Sequence, residues 1–66
     1  MAKQQLTKEI NEKIKHEKEI INFIEDCIAE TKPSHRESIK NMLNKIDTHR
    51  AKIIVYENLL EIIKKA

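Results

Sequence analysis

The sequence predicts an all-α chain: an antiparallel, coiled-coil-like two-helix hairpin that dimerises into a four-helix bundle. Three observations carry this expectation. The chain has no glycine and a single proline, Pro33, so its one legible break falls near the middle. On both sides of that break aliphatic residues recur at steps of three and four, the spacing of one helical face. The second half also carries a further uncharged stripe, which one neighbouring helix leaves uncovered.

The first helix is placed at about residues 3–31. Leu6, Ile10, Ile14, Ile21, Ile24 and Ile28 form its apolar face. Ile20 and Cys27 widen that face, and Phe23 sits at its edge. The opposite face reads Lys8, Asn11, Lys15, Lys18, Glu19, Asn22 and Asp26, a polar surface for water. Proline disfavours a helical conformation in the residue before it, so this helix should stop close to Lys32. The turn is placed at 32–33. Ser34 then reads as an N-cap with Glu37 three residues on, the spacing of a capping box.

The second helix is placed at about 34–65. Ile39, Met42, Ile46, His49, Ile53, Tyr56, Leu60 and Ile63 alternate steps of three and four without a fault, which is a heptad seam. A short link between helices of similar length, ~45 Å each at 1.5 Å per residue, folds them back on one another. The whole chain, 1–66, is then a single domain. Residues whose numbers sum to about 67 lie level across such a hairpin. Ile14 meets Ile53, Ile21 meets Ile46, and Leu6 meets Leu60.

Glu17 interrupts the first stripe between Ile14 and Ile21, and its level partners are His49 and Arg50. A charge on an apolar face is costly unless paired. A central polar layer of Glu17, His49 and Arg50 is therefore expected, with His16 nearby. Metal chemistry is a poorer reading of the same residues. There is no His-x-x-x-His pair, no Glu-x-x-His motif and no second cysteine, so neither a metal nor a cofactor is expected.

On the second helix, Asn41, Asn44, Thr48, Ala51, Val55, Asn58 and Ile62 recur on the side away from the first, and Leu59 adds to them. None is charged. The stretch around Val55, Leu59 and Ile62 is apolar nearly all round, and such a helix is normally covered on every side. Asn44, Thr48, Ala51, Val55, Asn58, Leu59 and Ile62 are thus the expected oligomer interface, most simply with a second copy.

Composition excludes several classes. Nucleotide-binding loops lean on glycine, which is absent. With 36% of residues charged against 39% hydrophobic, no apolar run long enough for a membrane exists and no membrane association is expected. Residues 1–10 hold no apolar stretch of the kind a secretion signal needs, so a cytoplasmic protein with Cys27 reduced is expected. One cysteine forms no internal disulfide, and so small a chain is then stabilised most readily by association. Cys27 and the three histidines lack the strand-to-helix elbow or concave pocket that would make them catalytic, so an enzyme is not expected. The richness in Ile, Lys and Asn suggests an AT-rich genome, such as a low-GC bacterium or its phage or other mobile element.

The expected function is that of a non-catalytic protein-interaction or regulatory module. Its candidate partner surface is Ile20 and Phe23 at the edge of helix 1 with His35 and Arg36 near the turn. The alternative is a nucleic-acid-binding dimer using Lys8, Lys15 and Lys18. The shape resembles that of the plasmid copy-number RNA-binding hairpins, a likeness that rests on no motif. The net charge of +2 is a weak attraction for nucleic acid, and the lysines alternate with acids as in Glu9 and Lys13. A third reading is a structural coiled-coil element of a larger assembly.

Overall fold

The computed structural model describes residues 2–65; Met1 and Ala66, the two ends of the expected domain, lie outside the described residues. Two helices pack along one another: α1 spans Ala2–Glu30 and α2 spans Arg36–Lys65. The hairpin is a rod of 51 × 14 × 10 Å.

The chain ends α1 without the left-handed glycine that often closes a helix; no described residue has a positive φ. Thr31 does the work from both of its donors. Its backbone N–H donates to Ile28 O (3.1 Å) and its hydroxyl to Cys27 O (2.7 Å), satisfying two carbonyls of the last turn. The chain then reverses through Lys32-Pro33-Ser34-His35, closed by the His35 N–H donating to Lys32 O at 2.9 Å. Pro33 takes the second position of this turn, where its fixed φ suits the geometry.

The turn is longer than the sequence suggests, and Ser34 is not the cap. The first bond of α2 runs from the Ile39 N–H to His35 O (3.1 Å), which makes His35 the capping residue and leaves Ser34 inside the turn. Closing the reversal on Lys32 uses two residues that the sequence assigned to helix. Glu37 remains in the first turn of α2 and Lys64 and Lys65 in the last, both placements favourable to the helix dipole.

The seam of α2 is the predicted one. Ile39, Met42, Ile46, His49, Ile53, Tyr56, Leu60 and Ile63 are its shielded residues, and every other residue of α2 is exposed. Ile46 lies deepest, at 3% exposure. On α1 the shielded seam is Thr7, Ile10, Ile14, Glu17, Ile21, Ile24 and Ile28, flanked by half-buried Ile20 and Cys27. Leu6 is a correction: it is 46% exposed, and Thr7 holds the seam position. Two successive steps of four, from Leu6 through Ile10 to Ile14, carry a position ~80° round an α-helix. The seam alternates three and four, and stepping back by three from Ile10 lands on Thr7. Leu6 belongs to the flank row of Ile20 and Cys27.

Candidate interaction surfaces and the central polar layer

Glu17 stands on the α1 seam between Ile14 and Ile21 and is 8% exposed. Across from it His49 occupies a seam position of α2, and its Nδ1–H donates to Glu17 Oε2. This pair places the two helices in the register expected from the turn. It is the one side-chain hydrogen bond between the helices among the described residues, and no buried side-chain N or O atom there lacks a partner.

Arg50 does not join the layer. It follows His49 by one residue, about 100° round the helix, and that rotation takes it off the seam. It is exposed, along an open groove shared with Glu25 and Asp47. His16 is likewise exposed, beside Glu9, Glu12 and Lys13 on the rim of the seam. Among the described residues no three His, Cys, Asp or Glu side chains are arranged to hold a metal ion. No helix of the hairpin is long and apolar enough to cross a membrane.

The residues expected at an oligomer interface are all exposed on the hairpin: Asn44, Thr48, Ala51, Val55, Asn58, Leu59 and Ile62. Ile62 is 64% exposed, and Ile54 and Val55 are similar. Thr48 turns its hydroxyl back to Asn44 O (3.1 Å), which leaves its methyl group to the surface. A shallow apolar depression runs over Thr48, Ala51 and Val55. Ile54, which the sequence pattern did not single out, is exposed on the neighbouring row. Its heptad position, one residue after Ile53, could have identified it.

Phe23 is the most exposed large apolar side chain, at 68%. It neighbours half-buried Ile20 and Cys27 on one side of α1, while His35 and Arg36 lie at the turn, also exposed. The four residues of the candidate partner surface therefore fall into two separate sites, one on the side of α1 and one at its end. Lys8, Lys15 and Lys18 are all exposed, on adjacent rows of α1. Glu12 and Glu19, each four residues after a lysine, run alongside them, so that side carries both signs.

These features define the class of the molecule: an antiparallel helical hairpin held by a heptad seam with one charged layer at its centre. Comparison with protein-family models, with curated proteins and with solved structures finds no match.

Proposed function

We propose that the chain is a non-catalytic interaction module that works as a homodimer of hairpins, joining four helices. The observation that supports this reading is the uncovered face of α2, where Ile54, Val55 and Ile62 are all more than half exposed. Surface area points the same way. The hairpin exposes 5482 Å², whereas a compact monomer of its 7.8 kDa mass exposes roughly 4,400 Å². The excess of about 1,100 Å² is of the order that one partner contributes to a standard protein interface, ~800 Å². The seam itself buries only Ile10, Ile14, Ile21 and Ile46 among apolar residues, a small core for an independent domain.

A dimer joined through α2 leaves Phe23 and Ile20 on α1 free to anchor a partner protein. A single exposed aromatic beside aliphatic neighbours is the usual chemistry of such an anchor. Sedimentation at micromolar concentration tests the reading: a species of twice the 7.8 kDa chain mass is expected. A species of the single chain mass that persists to high concentration would sink it.

Nucleic-acid binding through Lys8, Lys15 and Lys18 is the second reading, supported by the exposure of all three. It requires affinity that falls steeply with salt. Reversing the three charges separates the readings, because it abolishes nucleic-acid binding and leaves the dimer and any Phe23-dependent capture unchanged.

A further inference from the structure

We propose that the second copy lies antiparallel along the outer face of α2, with the two-fold axis at Ala51. The four helices then form a flat row, α1-α2-α2-α1, in place of a square bundle. This inference rests on the homodimer reading and adds its geometry.

Residues seven apart share a row along a heptad helix. The row directly opposite the seam is Glu37, Asn44, Ala51, Asn58 and Lys65, all exposed. The rows beside it are Lys40, Asp47, Ile54 and Glu61 on one side and the uncharged Asn41, Thr48, Val55 and Ile62 on the other. A square bundle would turn one of the two rows next to the seam toward the copy. Those rows read Leu43, Arg50, Glu57, Lys64 and Ser38, Lys45, Lys52, Leu59, largely charged. The uncharged middle of the back row, Asn44, Ala51 and Asn58, together with Thr48, Val55 and Ile62, makes the back of α2 its least charged surface, and a copy that covers it extends the layer.

The same rows choose the direction. In an antiparallel pair centred on Ala51, Asn44 of one copy faces Asn58 of the other, and Glu37 faces Lys65. On the flanking rows Lys40 falls level with Glu61, and Thr48 with Val55. Two-fold symmetry repeats each pairing, so four opposite-charge contacts and two amide pairs arise. A parallel pair would set Glu37 on Glu37 and Lys65 on Lys65, like charge on like at both ends. Sliding the antiparallel pair by one heptad would place Asn44 against Lys65 and leave Glu37 without its cation. Ala51 also stands at the middle of α2, so this register overlaps the helix along its described length. The smallest side chain of the face then sits where the helices come nearest.

Cysteine cross-linking in a Cys27→Ser background tests the arrangement, because a disulfide needs Cα atoms within about 7 Å. Ala51→Cys is expected to link to its own copy nearly completely under mild oxidation. Asn44→Cys and Asn58→Cys are expected to link at least tenfold faster when mixed than either does alone. Glu37→Lys should weaken the dimer, and adding Lys65→Glu to the same chain should restore it. A dimer by sedimentation in which Ala51→Cys stays reduced while Phe23→Cys or Leu43→Cys links would overturn the face and leave the homodimer standing. A Cys27→Ser chain that sediments as a single 7.8 kDa hairpin would overturn both.

Discussion

Glu17 is the one charged side chain buried among the described residues. It is a carboxylate on an aliphatic seam, and its stability depends on one donor, His49 Nδ1–H. His49→Leu removes that donor and leaves the carboxylate shielded and alone, with an expected loss of about 2–3 kcal/mol. Glu17→Leu with His49→Leu should regain that loss or exceed the wild type, since an apolar layer of similar volume carries no desolvation cost. Urea unfolding of the single and double variants is the measurement. Equal stability of all three would show that the pair contributes nothing. Arg50→Leu should change stability by less than about 0.5 kcal/mol, because its side chain is exposed and unpaired. The value of the layer lies in register: a slip of one heptad toward Met42 would bury Glu17 with no donor, and one toward Tyr56 would replace the imidazole by a neutral phenol.

At the scale of the helix, the alternation of three and four sets what is buried. Ile46→Ala should cost about 2–4 kcal/mol, since its side chain is nearly closed off. Leu6→Ala should cost under about 1 kcal/mol, because Leu6 is on the flank and Thr7 holds the seam. Thermal melts that rank these two the other way would contradict the seam. The turn offers a second element-scale check. Thr31→Val keeps the shape of the side chain and deletes the hydroxyl bond to Cys27 O, and should cost about 1 kcal/mol. Ser34→Ala should cost less than that, since His35 holds the capping position.

For the whole molecule the decisive quantity is exposed surface. Val55→Lys with Ile62→Lys places charge on the uncovered face without touching the seam. If α2 pairs with a copy, the double variant should sediment as a monomer, and the wild-type melting temperature should rise with protein concentration where that of the variant does not. A wild-type midpoint independent of concentration would count against the dimer. The seam itself should survive in either case, so helical content by circular dichroism should be unchanged at low temperature.

The sequence by itself determined both helices, the complete seam of α2, the register, and the presence of Glu17 and His49 in one central layer. These follow from periodicity, which the covalent chain carries, and from one proline that fixes where the fold reverses. Only the tertiary structure decided that Thr7 is shielded more than Leu6, that Arg50 leaves Glu17 to His49, and that the turn takes Ser34 and caps on His35. Each turns on about 100° of rotation or on which of several nearby groups meets a hydrogen bond. Spacing along a chain leaves such choices open until a second helix is laid against the first.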